Sequence, residues 1–590
     1  MADEQDEGIF PGMDGLPSVE DVQAWTTVML RAQTMLAEHA ARMANAPAAP
    51  DLAMLFDPAR WQTLPGVAAM TQIAANSWAQ GMENWQKFLG GDMAAFAPTT
   101  PNPDKRFAAP EWTDNPVFAV LRQSYAAVAE QMLSATDAMD GIDAQAKAKL
   151  RFATQQLVDA MAPTNLAFTN PQVIERAVAT KGESLLKGLE HLLGDMARGQ
   201  MTHVDRSAFT MGENIAATPG KVVHETPLYQ LIHYAPTTPN VLATPLVVFP
   251  PWINRFYILD LNPAKSFVKW CVDNGISLFM VSWKSADASL KHIVWDDYVA
   301  AQIDAVDTIR TRLDVPAVHA IGYCVAGTTL AATLAVLAAK GEADKVASAT
   351  FFTAQVDFEL AGDLKLFVDE GQLAMLEQLS APGYLDGRYM AATFNLLRGR
   401  DLIWNYVVSN YLLGQDYPAF DLLYWNGDTT NLPAKWHRQY LTELYRDNRL
   451  VVPGSLSAQG VPIDLRKIET PAYVQAGRED HIAPAASVWR MMHHLAGPKT
   501  FVLAGSGHIA GVVNPPAAQK YQYWTGDSEA ASFDLFVAGA NETKGSWWPH
   551  WLAWLTAQSN AQLPAKGARI PGGKGNPAIE DAPGRYVRMA

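Results

Sequence analysis

Residues 318–329 read VHAIGYCVAGTT, and the turn they encode constrains every segment around them. Apolar residues run up to Gly322, a single Cys stands at 324, and small residues lead into an Ala-rich stretch. This is the pattern of a β-strand that turns sharply into a helix with a nucleophile at the corner. Small neighbours let the backbone take the strained turn, and the helix N-terminus beneath the sulfur favours thiolate over thiol. Gly322, Cys324 and Ala326 fill a G-x-nucleophile-x-G frame, with Ala326 where the frame has Gly, and Gly327 follows. The chain has only two cysteines, too few for a disulfide framework. The other, Cys271 in SFVKWCVDNGISLF, reads as a small buried hydrophobe.

A nucleophile elbow needs partners that follow it in order, each behind a later strand. VVHETPLYQLIHYAP alternates like a hairpin, and the short apolar runs PLVVFP, SLFMVSW, SATFFTAQVDF, PAYVQAG and TFVLAG then alternate with helical segments. That alternation predicts an α/β fold with a mainly parallel sheet covered on both faces. PAYVQAG runs into REDHIAP and offers Asp480; TFVLAG runs into SGHIAG and offers His508. The order Cys324, Asp480, His508 predicts a nucleophile, acid and base triad. The oxyanion donors expected with it are the backbone N–H of Val325 and one N–H from PPWINRFYILDLNP, where Ile253 is the candidate between Trp252 and Asn254.

Other motifs weigh less. Gly505, Gly507 and Gly511 only approach a dinucleotide fingerprint, and the run holds the candidate His. There is no P-loop and no HExxH, and the adjacent His493 and His494 fall on different faces of a helix, so no metal and no cofactor are expected. His481, beside Asp480, serves either the loop or the pocket. Trp547, Trp551 and Trp554 recur at helical spacing with Trp548 beside them, which predicts a packing stripe.

Around this core the chain divides by pattern. Residues 1–212 read as an all-helical packing or assembly domain: Ser18 and Asp21 have capping-box spacing, and Val22, Trp25, Met29, Ala32 and Leu36 follow as an apolar stripe. Ile73, Trp78, Met82, Trp85 and Leu89 form a looser second stripe, and Asn170 with Pro171 opens a further helix. Residues 213–358 and 446–575 are expected to form the catalytic core, with 359–445 inserted as a cap because no convincing strand lies between Phe358 and Pro471. The cap's aromatic residues Phe420, Tyr424 and Trp425, with Trp252 and His481, are the candidate substrate pocket. Residues 576–590 are expected to be a tail without regular structure. A net charge of −15 argues against nucleic acid as partner, because phosphate backbones demand a basic face. No apolar run approaches a membrane span, and MADEQDEGIF lacks the features of a secretory signal, so a cytoplasmic protein is expected.

Taken together, PPWINRFYILDLNP, SWKSAD, GYCVAGT, YWNGDTTNLP, GREDHIAP, GSGHIAGVVNPP, GSWWPHW and the closing APGRYV resemble the class I, single-subunit polyhydroxyalkanoate synthases. The resemblance runs from about residue 170 to the end, and the departure at Ala326 holds against this family too. It implies an α/β-hydrolase fold, a nucleophile at Cys324, an acid at Asp480, a base at His508, and (R)-3-hydroxyacyl-CoA as substrate. It further implies polyester and free CoA as products, a homodimer, and association with polyester granules and their proteins. Two rival readings share these residues: a Cys-dependent thioesterase on the same fold, and a non-enzymatic granule-surface protein.

Overall fold

In the computed structural model, residues 18–43 and 104–589 are described. The second apolar stripe, Ile73 to Leu89, lies outside them. The chain forms two compact units, residues 1–205 with 391–418, and residues 206–390 with 419–590. The insertion that the sequence marks as a cap is thus shared between the two.

The first unit is helical. Its helix Val19–Met43 opens on a capping box: Ser18 Oγ accepts the Asp21 N–H at 3.1 Å, and the Asp21 carboxylate accepts the Ser18 N–H at 3.1 Å. The helix rests on Gly182 through Trp25 and Val28. Val22, Met29 and Leu36, expected in a core stripe, are 52%, 63% and 49% exposed. They repeat every seven residues along a row beside the packed face, so spacing alone did not separate the two rows. Asn170 caps helix Pro171–Ala179 through its side chain, with Pro171 in the first turn. Residues 391–418 join this unit through polar ties: Arg400 Nε donates to Asp159 at 2.6 Å and Tyr411 to Asp195 at 2.5 Å.

The second unit is built on one sheet, eleven-stranded among the described residues. In chain order its strands are β1 (Gly220–Glu225), β2 (Tyr229–Tyr234), β3 (Leu246–Phe249), β4 (Leu278–Trp283), β5 (Val318–Tyr323), β6 (Val346–Phe352), β7 (Ala472–Gly477), β8 (Lys499–Ala504), β9 (Gln522–Thr525), β10 (Asn541–Lys544) and β11 (Glu580–Asp581). They lie side by side as β10-β9-β8-β7-β6-β5-β3-β4-β2-β1-β11. The run β8-β7-β6-β5-β3-β4 is parallel throughout. Strands β3 to β5 are buried at every position, as the centre of a sheet covered on both faces requires. The fold is an α/β hydrolase. Parallel strands send all their C-terminal ends to one edge, and the loops after β3, β5, β6, β7 and β8 converge there.

The strands read from the sequence are present; β9 and β10 were not read, being short and polar on the exposed side. The tail differs from expectation as well. Glu580–Asp581 pairs antiparallel with β1, and Asn576, Tyr586 and Val587 are buried. The tryptophan stripe is core: Trp547, Trp548 and Trp551 are fully buried, and their indoles donate to Gly511 O, Val512 O and Thr350 Oγ1. Among the described residues no helix is long and apolar enough to cross a membrane.

Candidate active site

Cys324 stands between β5 and helix Val325–Ala339 with φ 53° and ψ −126°, a region that side chains avoid. Its N–H donates to Phe352 O at 2.9 Å, and its carbonyl accepts the N–H groups of Gly327 and Thr328, which locks the corner. The turn closes because strand and helix touch through glycine. A Cβ on Gly322 would lie 2.5 Å from Gly327 Cα, and one on Gly327 would lie 2.4 Å from Ala354 Cβ. Ala326, which departs from the frame, is fully buried, and its carbonyl accepts Gln302 Nε2 at 3.0 Å. The close approach belongs to Gly327.

The acid and base come from the loops after β7 and β8. His508 Nδ1 meets Asp480 Oδ2 at 2.7 Å, and the carboxylate's other oxygen accepts the N–H groups of Ile482 and Ala483 at 2.8 and 2.9 Å. Asp480 is therefore satisfied on both sides while its side chain is wholly buried. The charge of Cys324 is felt at the His508 imidazole, and the His508 carbonyl accepts the Tyr323 hydroxyl at 3.0 Å. Burial works against a charged His508. The charges of Asp480 and Cys324, with the hydrogen bond to Asp480, outweigh it and raise the imidazole to about 10. The glycines of SGHIAG serve this loop. A Cβ on Gly511 would meet Gly507 O at 2.6 Å, and Trp547 and Trp548 brace the same turn. Cys324, Asp480 and His508 thus all follow strand ends on one edge of the sheet, with Asp480 and His508 hydrogen-bonded.

The profile described as the poly-beta-hydroxybutyrate polymerase (PhaC) N-terminus matches residues 103–271, and the alpha/beta hydrolase fold profile matches residues 249–515. The poly(3-hydroxyalkanoate) polymerase subunit PhaC of Rhizobium meliloti is 44% identical over 541 residues, covering 91% of this chain and 87% of that protein. That of Cupriavidus necator is 43% identical over 514 residues, covering 85% and 86%. This chain belongs to the poly(3-hydroxyalkanoate) polymerase family. Among solved structures, the monoacylglycerol lipase of Paleococcus ferrophilus shares 12% identity with a TM-score of 0.28, covering 46% of this chain and 88% of that one.

In this polymerase-family chain one oxyanion candidate, Val325, follows the nucleophile directly, and the other, Ile253, lies in the loop after β3. Val325 opens the helix, where first-turn N–H groups have no intrahelical acceptor, and Ile253 is half-buried. Among the described residues neither N–H donates a hydrogen bond. Trp252 stacks on Tyr298 with centroids 3.9 Å apart and meets Trp436 edge-on at 5.2 Å. His481 sits half-buried beside Asp480. Trp425 belongs to the apolar core cluster that Tyr424 and Cys324 pack against; Lys265 lies over the Phe420 ring, Arg206 over Tyr424, and the Trp425 indole donates to Arg255 O at 2.7 Å. Among the described residues none of these three makes a hydrogen bond or ring contact with the triad.

Cys324 bears on the buried phenols of Tyr323, Tyr440 and Tyr445, and the rings of the last two meet edge-on with centroids 5.4 Å apart. Burial foremost, and the charge of Cys324, push both Tyr440 and Tyr445 above their ordinary value, while Tyr440 itself works to lower Tyr445. Trp436 stacks on Tyr440, so Trp252, Trp436, Tyr440 and Tyr445 form one continuous apolar wall. Sequence reading missed this pair, because α-helical spacing puts residues five apart on different faces. Residues Tyr440–Arg446 are wound as a π-helix, which brings them together. Among the described residues no cluster of three or more His, Cys, Asp or Glu could hold a metal ion.

Proposed function

We propose that this chain polymerises (R)-3-hydroxyacyl-CoA, 3-hydroxybutyryl-CoA foremost, into polyhydroxyalkanoate through an acyl-Cys324 intermediate. The observation that carries the reading is the buried, hydrogen-bonded His508–Asp480 pair on the same sheet edge as a cysteine held at a strained elbow, in a chain of this family. Cys324 Sγ attacks the thioester carbonyl while the N–H groups of Val325 and Ile253 take the negative charge that develops on oxygen. The C–S bond to CoA breaks, and His508 returns a proton to the departing CoA thiol. One thioester has replaced another, so the step is near balance and needs only an activated sulfur.

His508 then removes the proton from the 3-hydroxyl of the next monomer or of the chain end. That oxygen attacks acyl-Cys324, an ester forms, and the thiol is restored with the proton held by His508. Asp480 orients the imidazole and favours its charged form. The aromatic wall of Trp252, Trp436, Tyr440 and Tyr445 keeps water from the acyl-enzyme, which separates polymerisation from hydrolysis. The protein's own side chains suffice for these steps, with no cofactor and with CoA leaving as product. On the same reading the chain works in the cytoplasm as a homodimer at the surface of polyester granules, beside granule-associated proteins.

The decisive experiment incubates the protein with (R)-3-hydroxybutyryl-CoA, sizes the product, and maps the acylated residue. Polyester, free CoA and a label on Cys324 are expected. Stoichiometric soluble hydroxyacid without polymer would make it a thioesterase, and full activity of Cys324→Ala would remove the nucleophile. Sedimentation of the protein with and without polyester granules tests the assembly.

A further inference from the structure

We infer that Arg255 is a positioning residue that clamps the oxyanion loop to the closing turn of the chain, an inference that rests on the catalytic reading above. The loop runs from Pro250 to Arg255 after β3 and carries the Ile253 N–H. It has no regular structure of its own, so its shape depends on what holds its carbonyls. Trp283 Nε1 donates to Pro250 O at 2.8 Å, Thr430 Oγ1 to Trp252 O at 2.6 Å, and Trp425 Nε1 to Arg255 O at 2.7 Å. Asn254 forms an antiparallel bridge with Thr429. These ties come from β4 and from the segment around residues 425–430.

Arg255 supplies the hold from the other side. Its guanidinium is 3% exposed; Nη1 donates to Tyr586 O at 3.3 Å, Nη2 to Met589 O, and Nε reaches Asp428 at 3.4 Å. The second Asp428 oxygen accepts the Tyr257 hydroxyl at 2.6 Å, so both ends of the loop's exit are gripped. The closing turn is itself fastened to the sheet edge. Tyr586 N–H donates to Gln230 Oε1 at 3.1 Å, the Tyr586 hydroxyl to Thr226 O at 2.7 Å, and Glu580–Asp581 pairs with β1. Gly584 lies so close to β2 that a Cβ there would meet Gln230 Oε1 at 2.5 Å. A planar guanidinium with donors on three nitrogens can bridge two carbonyls and a carboxylate at once; a lysine ammonium cannot reproduce that fork. Oxyanion donors act only within hydrogen-bond reach of the developing charge, so a loop shifted by about 1 Å forfeits on the order of a hundredfold in rate.

The test separates the oxyanion from the nucleophile. Alkylation of Cys324 by iodoacetamide develops no oxyanion, whereas acylation by (R)-3-hydroxybutyryl-CoA does. Three proteins are compared: the unsubstituted chain, Arg255→Lys, and a chain ending at Gly584, which removes the Tyr586 and Met589 carbonyls but keeps Arg255. The last two cut the clamp from opposite sides, so the loss of folding in one leaves the other to decide. Either folded variant should alkylate within about twofold of the parent while its acylation rate, followed by rapid quench, falls roughly ten- to a hundredfold with little change in KM. Acylation within twofold of the parent would overturn the clamp. A parallel fall in alkylation and acylation would also overturn it, because that is general damage to the fold. Failure of the unsubstituted chain to acylate at Cys324, with normal alkylation there, would overturn the catalytic reading itself and this inference with it.

Discussion

At Cys324 the backbone strain is held by two glycines and not by the position the sequence frame singles out. Gly327 allows Ala354 and the Gly322 carbonyl to sit where a methyl would stand, at 2.4 and 2.7 Å. Gly327→Ala should therefore lose about 1–3 kcal/mol in urea unfolding, the usual cost of overpacking, and activity with it. Ala326→Gly should cost no more than about 1 kcal/mol and keep most activity. The reverse ranking would place the crossing at residue 326. The acid and base divide their work by what sulfur needs. A thiol ionises more readily than an alcohol, so His508→Gln should slow both acylation and elongation by roughly 10²- to 10⁴-fold, whereas Asp480→Asn should spare acylation more than elongation. Rapid-quench trapping of acyl-Cys324 reads both steps, and equal losses at the first transfer would contradict the division. All three residues were legible because each follows a strand in a fixed order, and strand order decides which loops share an edge. Arg255 was not: nothing local in PPWINRFYILDLNP says that its guanidinium meets carbonyls some 330 positions away.

Elements were legible where their period is regular. The parallel strands announced themselves as apolar runs, and the Asn170 cap as a side chain with an oxygen placed before Pro171. The π-helix Tyr440–Arg446 left no such mark, since its winding departs from the 3.6-residue period on which sequence reading depends. Its effect is to set the Tyr440 and Tyr445 rings together and join them to the core. Gln355 Nε2 reaches Tyr445 at 3.4 Å, Gln355 Oε1 accepts Ser487 Oγ at 2.8 Å, and Gln355 O accepts Thr328 Oγ1 at 2.7 Å. The chain of bonds runs from the helix after Asp480, through the loop after β6, to the aromatic wall. Tyr445→Phe should strand buried partners and cost about 1–3 kcal/mol. Tyr440→Phe should then cost less in the Tyr445→Phe background than alone, by at least about 0.5 kcal/mol. Urea midpoints for the four proteins of the cycle measure it, and strict additivity would mean that the two hydroxyls do not act as a pair.

For the whole molecule, burying histidines within a sheet covered on both faces sets an acid limit. His233 stacks on Phe279 with ring centroids 4.1 Å apart, its Nδ1 accepting Asn576 Nδ2 at 2.8 Å. His319 is 1% exposed against Ser348 Oγ. Burial lowers His233 to about 3, and His319 and His437 to about 4. A histidine lowered in the folded state is neutral there but binds a proton in the unfolded chain below about 6.5. Its contribution is full above that value and is lost as pH falls toward the folded one. His508 has the opposite sign: raised to about 10, its contribution is full below 6.5 and is lost as pH rises through 10. Carboxylates lowered by their partners, such as Asp287 at about 2, keep their contribution until pH falls below about 4. His203 and His550 are lowered by burial in the same sense, so the interval from pH 6 to 5 belongs to the lowered histidines, foremost His233, His319 and His437. Each of these three should tilt unfolding free energy by about 1.4 kcal/mol per pH unit there, and His319→Gln should remove one such share of the slope whatever it does to stability at pH 7.5. Urea titrations at pH 6.0 and 5.0 test this directly. An unchanged slope in His319→Gln would mean that His319 already carries its proton inside the folded sheet, against the burial that surrounds it.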